Sequence, residues 1–357
     1  MTAASKIAET QDFDYLVLIG RFNFFHLGHL MLLTRALARA KRVIVVLGSA
    51  FRPRSPKHPL LWKERKVTME RALEPTDAER LHFLPVRDYH DDDKWLADVI
   101  SGVSKIVPTG SRVGIIGHSK DETSYYLKCF PQWEQVEISN YAGLNATDLR
   151  NVYYSDKPWA GKRDYLESKV PGNVLDLLDV FRDTPEYRGL CEWDASNKTE
   201  RAKYAHLKHG YIYQTADAVV RCNDHVLLVR RAENPGAGLW ALPGGHVETF
   251  EKILAAALRE LSEETGLPFS AAFLKSHLAD QDLFDATDRS EKGRVITHAF
   301  FFDLHEGACP DVTPSSESYE AKWVHVSELA GYEGLMFEDH FSILCRFLPF
   351  ILMRGYA

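Results

Sequence analysis

The chain has 357 residues, 45% of them hydrophobic and 26% charged, which suits a soluble protein of two ordinary domains, each able to bury its own core. A formal net charge of −7 gives no general basic field for a nucleic-acid polymer, although local basic sites for small phosphates remain open. Five cysteines without paired spacing (Cys129, Cys191, Cys222, Cys309, Cys345) argue against a disulfide frame or zinc site, and the polar first residues and short apolar runs argue against a signal peptide or membrane span. A cytoplasmic protein is expected, with no nucleic-acid or membrane partner and a homo-oligomer left open.

The first half alternates strand and helix patterns. Tyr15 to Gly20 and Val43 to Gly48 are short β-branched runs ending in Gly, with a helical stretch from Leu27 to Ala40 between them. Further strands are expected at Leu81 to Val86, Arg112 to Gly117 and Gln135 to Ser139, and helices around Lys63 to Leu73, Trp95 to Val103 and Val174 to Phe181. Such alternation implies a parallel, doubly wound sheet that binds ligands at the carboxyl ends of its strands. At the first strand–helix corner stands Gly20-Arg21-Phe22-Asn-Phe24-Phe-His26-Leu-Gly28-His29. Free backbone N–H groups and a positive helix end suit phosphate there. Gly28 permits close approach, and two imidazoles reach the same place.

This string resembles the His-x-Gly-His motif of the nucleotidylyltransferase superfamily, with Phe24 where many members have Pro. That family's second motif has Ser or Thr five residues before an Arg; here Asn145 takes the hydroxyl's place before Thr147 and Arg150. Read alone, that second string is equally an N-capped helix start. The run from Gly117 through Lys120 and Asp121 resembles the archaeal-like nicotinamide mononucleotide adenylyltransferases, as does Asp88 to Trp95. The resemblance implies a Rossmann-like nucleotidylyltransferase domain that transfers adenylate from ATP to nicotinamide mononucleotide. It places His26 and His29 on the triphosphate, with Arg150 and Lys120 on the β and γ phosphates. Gly20, Arg21, Phe22, Gly28, Gly48, Ser49, Gly117, Asp121, Asn145 and Thr147 are the accompanying nucleotide-binding positions. Trp95 would stack on nicotinamide, or simply pack in the core. Arg52, Arg54, Lys57 and Arg65 offer phosphate contacts, though any one of them reads equally as a surface charge.

Asp183 to Lys208 is rich in charge and poor in apolar periodicity, so the domains are expected at 12–186 and 209–351 with a linker at 187–208. In the second half, Ala216 to Val220 and His225 to Val229 read as strands turning at Asn223-Asp224. Val295 to Asp303 and Ala321 to Val326 read as further strands, and Phe337 to Phe347 as a closing amphipathic helix. Between them the chain reads Gly245, five residues, Glu251, seven residues, then Arg259-Glu260-Leu-Ser-Glu263-Glu264-Thr-Gly266. On a helix over Leu254 to Leu261 and beyond, Glu260 shares a face with Glu263 and Glu264, so like charges crowd unless a cation compensates. Hard oxygen ligands favour Mg²⁺, with Mn²⁺ also possible, over zinc.

The spacing fills every fixed position of the Nudix hydrolase signature, so the second half resembles an α+β Nudix domain. The resemblance implies that Glu260, Glu263, Glu264 and the Gly244 carbonyl hold the metal and that Arg259 orients the glutamates. Glu251 either pairs with Arg259, binds an outer metal, or favours the helix start through the dipole. The general base is a box glutamate, Glu317 or Glu320. The region from 12 to 350, including Asp288 to His298, resembles fused adenylyltransferase–Nudix proteins. An enzyme that makes NAD gains nothing by cutting it, and neither a zinc ribbon nor a Ser-Gln-Pro-Trp-Pro-Phe string of NADH pyrophosphatases is present, so ADP-ribose is the expected target. The downstream Pro of some stand-alone ADP-ribose pyrophosphatases is also missing. Two alternatives stand beside this reading. One is a different adenylyl acceptor fused to a broad nucleoside-diphosphate-sugar hydrolase; the other is an NAD-metabolite sensor.

Overall fold

A computed structural model describes residues 11–89, 91–117, 127–138, 143–304, 308–314 and 318–353. The chain divides into two compact units, Met1–Tyr187 and Arg188–Ala357.

In the first unit the order is β1 (Phe13–Gly20), α1 (Leu27–Arg39), β2 (Ala40–Leu47), α2 (Trp62–Arg71), α3 (Pro75–Ala78), β3 (Leu81–Pro85), α4 (Asp92–Ile106), β4 (Val113–Gly117) and β5 (Glu134–Glu137). Helices α5 (Ala146–Tyr153), α6 (Trp159–Glu167) and α7 (Gly172–Phe181) follow. All five strands are parallel, in the order β3-β2-β1-β4-β5. The chain winds outward from β1 through β3 and returns to place β4 on the other side of β1. That reversal opens a crevice at the carboxyl ends of β1 and β4. Val17, Ile44, Val46 and Ile115 fill one face of the sheet against Val99 and Val103 of α4.

One continuous helix, α8 (Pro185–Lys203), runs through much of the stretch expected as linker, and the division between units falls inside it. Its buried residues, Leu190, Trp193, Asp194 and Asn197, mix apolar with polar types, so no apolar stripe announces it.

The second unit contains β6 (Ile212–Cys222), β7 (His225–Arg231), β8 (Trp240–Ala241), β9 (Gly244–His246), α9 (Ile253–Thr265), α10 (Ala271–Ser276), β10 (Leu278–Phe284), β11 (Arg294–Leu304) and β12 (Ser318–His325). A 3₁₀ turn (Leu329–Leu335), α11 (His340–Phe347) and α12 (Phe350–Met353) close it. The sheet order is β10-β11-β6-β7-β12, with β8 on β7 and β9 on β6. Side chains alternate across β6 and β11, so the sheet is buried on both faces. Ala218, Val220, Phe300 and Phe302 pack on α9, whereas Val219 and Phe301 pack on α11. Asn223 makes the expected β6–β7 turn with φ 51°, and Gly266 ends α9 in the left-handed region at φ 58°. None of the described helices is long and apolar enough to cross a membrane.

Candidate active sites

At the β1–α1 corner, His26 is the N-cap of α1. Its Nδ1 accepts the His29 N–H (3.3 Å), and the His29 Nδ1 accepts the His26 N–H (3.4 Å). The rings stack with centroids 3.6 Å apart. Because each Nδ1 acts as an acceptor, a neutral imidazole carries its proton on Nε2, so both rings present donors, which suit phosphate oxygen. Arg150 reaches the same loop from α5: its Nη1 donates to the Asn23 carbonyl and its Nη2 to Thr147 Oγ1 (3.2 Å). Asn145 caps α5 by accepting the Asp148 N–H (2.9 Å), the helix-start role that its string also allowed.

The β1 and β2 ends are tied together by Arg65, which is 1% exposed. Its guanidinium donates to the carbonyls of Arg21, Gly48 (2.9 Å) and Ser49 (3.1 Å). Arg65 is therefore a buried clasp and not a surface charge. Arg54 forms a two-pronged pair with Glu64 (2.6 and 2.7 Å), and Arg52 pairs with Asp88 (2.7 Å), which also accepts from Ser49 Oγ (2.9 Å). Burial and the charges of Arg52, Arg21, Lys57 and Arg65 hold the buried His58 imidazole well below the usual histidine range. Four cations thus surround His58, and one of them, Arg65, binds the Gly48-Ser49 strand end directly. Gly20 must lack a side chain, because a Cβ there would lie 2.7 Å from the Phe22 ring. Gly28 is buried in α1, and Gly117 ends β4. Trp95 packs edge-on to Phe130 (5.9 Å) against the sheet core. Lys120 and Asp121 lie outside the described residues.

In the second unit a cavity of about 870 Å³ opens beside α9. Gly244, Gly245, Arg259, Glu260 and Glu264 line it, together with Asp217 of β6. Arg259 holds both Glu251 oxygens (3.0 and 2.9 Å), Glu260 (2.9 Å) and Glu263 (3.1 Å), so it fixes the acidic box as one network. Glu251 thus pairs with Arg259. The Glu264 carboxylate accepts the Gly244 N–H (3.0 Å); burial, more than the nearby Glu260 and Asp217 charges, pushes its pKa up to about 8. Burial likewise raises Asp217 to about 7. Crowded, desolvated carboxylate oxygens beside a backbone turn are the donor set that a hard divalent cation neutralises. Glu263 stands apart from them: its side chain is 60% exposed, and it does not line the cavity. Among the described residues no three acidic, His or Cys side chains already form a metal-holding group.

Residues 17–94 match the cytidylyltransferase-like family and residues 212–347 match the NUDIX domain. A nicotinamide/nicotinic acid mononucleotide adenylyltransferase of Acinetobacter baylyi is 40% identical over 179 residues, 50% of this chain and 92% of that protein. An ADP-ribose pyrophosphatase of Methanocaldococcus jannaschii is 31% identical over 132 residues, 37% of this chain and 72% of that protein. The crystal structure of a bifunctional NMN adenylyltransferase/ADP-ribose pyrophosphatase from Francisella tularensis, complexed with AMP and manganese ion, matches with a TM-score of 0.87 and 30% identity. That match covers 95% of this chain and 99% of the other. The chain belongs to this bifunctional family.

The Nudix cavity of this family member also contains residues that the box does not predict. Arg289 is buried against Asp339 (2.7 and 2.8 Å) and also donates to Thr297 Oγ1. The neighbouring Glu338 adopts φ 44°, lines the cavity, and accepts the Ser290 hydroxyl (2.6 Å). Burial, with Asp339 nearby, pushes its pKa up to about 7. A non-glycine residue in the left-handed region beside a cavity is the one local signal that could have pointed to it, and that signal is conformational, not sequential. Glu320 instead pairs with Arg230 (3.5 Å) away from the cavity lining, and Glu317 lies outside the described residues.

Proposed function

We propose that residues 12–186 transfer adenylate from ATP to nicotinamide mononucleotide, and that residues 209–351, with α8, hydrolyse ADP-ribose in the cytoplasm. The observation that carries this reading is the joining in one chain of the stacked His26–His29 pair and the acidic Nudix cavity. In the first reaction a phosphate oxygen of the mononucleotide attacks the α-phosphorus of ATP, and pyrophosphate leaves. His26, His29 and Arg150 donate to the phosphate oxygens, with Gly20, Arg21, Phe22, Gly48 and Ser49 shaping the crevice; the work is positioning and charge neutralisation.

In the second reaction water splits the diphosphate bridge, giving AMP and ribose 5-phosphate. Glu260, Glu264 and the Gly244 carbonyl would hold Mg²⁺, Glu263 joining them by a side-chain rotation. Bound there, the ion supplies charge neutralisation for the diphosphate. Arg259 keeps the glutamates oriented. Glu338 takes the proton of the attacking water at its carboxylate oxygen, since it faces the cavity and Glu320 does not.

Purified protein given ATP with nicotinamide mononucleotide should release pyrophosphate, and given ADP-ribose should release AMP. His29→Ala should abolish the first release and keep the second, and Glu264→Gln the reverse. Loss of both releases in either variant would overturn the assignment of separate sites.

A further inference from the structure

The hydrolase cavity has a wall that the acidic box does not build. Ser196, Asn197 and Glu200 line it from α8. Most polar groups on this face are engaged. Asp194 pairs with Lys198 (2.6 Å), and Glu200 accepts the Tyr213 hydroxyl (2.9 Å) and Lys203 (2.5 Å). Asn197 is different: it is 2% exposed, it lines the cavity, and none of the described residues hydrogen-bonds its side-chain amide. Buried amides in folded proteins are almost always paired, so an unpaired one on a cavity wall marks a place for a ligand's polar atoms.

The surroundings say which part of the ligand. One turn earlier on the same face, Trp193 packs its ring on Phe337 (centroids 5.8 Å apart). Phe337 also lines the cavity and carries the Arg231 guanidinium over its face at 4.4 Å. With the Glu200 carboxylate held by Lys203 and Tyr213, this wall offers the Phe337 ring, the Arg231 guanidinium stacked on it and a neutral amide, whereas the α9 wall is rich in carboxylates suited to a diphosphate and its cation. A flat, uncharged heterocycle with donors and acceptors on its edge fits the first wall.

We propose that Asn197 reads the purine base of the hydrolase substrate. Its carboxamide oxygen accepts the exocyclic amino group and its NH₂ donates to the adjacent ring nitrogen, the two-point pairing that Asn makes with adenine. The proposal rests on the reading of this unit as an ADP-ribose hydrolase. Asn197 touches no reacting atom, so it sets specificity through binding and leaves the chemical step unchanged.

The test uses the full chain and the hydrolysis assay, in which AMP and ribose 5-phosphate act as competing inhibitors representing the two ends of the substrate. Asn197→Ala should raise KM for ADP-ribose and the inhibition constant of AMP by about tenfold, with kcat and the ribose 5-phosphate constant unchanged within about twofold. Asn197→Asp keeps the size and the acceptor but loses the donor. It should weaken AMP similarly and raise the ratio of GDP-mannose to ADP-ribose hydrolysis, because a carboxylate accepts from guanine's N–H edge. Equal weakening of AMP and ribose 5-phosphate, weakening of ribose 5-phosphate alone, or no change in either overturns the proposal. If Asn197→Ala does not fold, Asn197→Asp carries the same readings. Wild-type protein that cuts another nucleoside diphosphate derivative but not ADP-ribose would refute the substrate reading instead; AMP inhibition of that reaction would then still decide the role of Asn197.

Discussion

Gly245 lies so close to Glu260 that an added Cβ would stand 2.5 Å from the Glu260 Cδ. That carboxylate cannot retreat without leaving Arg259, which holds it at 2.9 Å. Gly245→Ala should therefore turn Glu260 out of the cavity, lowering kcat for ADP-ribose by about a hundredfold while the melting temperature moves only a few degrees. Gly244→Ala meets backbone instead, 2.6 Å from the Ala216 carbonyl, and should cost about 2–4 kcal/mol of stability in a denaturant titration. Glu338 makes a different demand. A base acts when unprotonated, and its carboxyl is pushed up to about 7, so kcat/KM for hydrolysis should rise with pH through an inflection near that value. Glu338→Gln should lower the rate and remove the inflection. A variant that retains the inflection would move the proton to another group.

At the scale of elements, the crevice of the first unit depends on how the ends of β1 and β2 are held. Arg65 on α2 binds carbonyls from both, at Arg21, Gly48 and Ser49. Removing a buried donor that serves several acceptors leaves each of them desolvated and unpaired. Arg65→Met, which keeps the volume, should destabilise the protein by about 3–5 kcal/mol and reduce NAD synthesis, as read by thermal melting and pyrophosphate release. Wild-type melting in that variant would show that the clasp is dispensable. The same contrast explains what the sequence could disclose. Strands β1 and β2, helix α1 and helix α9 are local patterns: β-branched runs ending in Gly, a His N-cap, and an Ala/Leu helix stopped by Gly266. The acidic box and the His26–His29 pair are local too, so spacing brings Glu260 and Glu264 to one cavity and stacks the two imidazoles, although Glu263, expected on the same face, stands apart. Arg65 looked like one more surface charge because its three carbonyl partners come from distant turns. Helix α8 was hidden for a related reason: its buried face alternates Leu190 and Trp193 with Asp194 and Asn197, and polar residues erase the apolar period that identifies a helix. Glu338 reaches the box only through the fold, so no spacing rule contains it.

For the whole molecule, the pairing of activities imposes a selectivity. NAD leaves the first reaction as a diphosphate of two nucleosides, with the same bridge that the second reaction cuts in ADP-ribose. A hydrolase indifferent to the substituent on the second ribose would consume the product of its own chain. The two substrates differ at one carbon, which bears a hydroxyl in ADP-ribose and a positively charged pyridine ring in NAD. A site that hydrogen-bonds a hydroxyl can reject an analogue lacking it by factors of about 10⁴ or more, whereas an apolar pocket rejects a misfit far less strongly. The Nudix cavity is lined on several sides by charged and hydrogen-bonding groups, Arg289, Lys292, Thr297 and Glu338 among them. It is thus built for the stronger kind of discrimination. We expect kcat/KM for ADP-ribose to exceed that for NAD by about a hundredfold or more, measured as AMP release from each substrate with the same protein and the same divalent cation. Comparable rates would mean that the cavity recognises only the adenylate half. The chain would then cut what it makes, and the fusion of the two activities would no longer point to ADP-ribose.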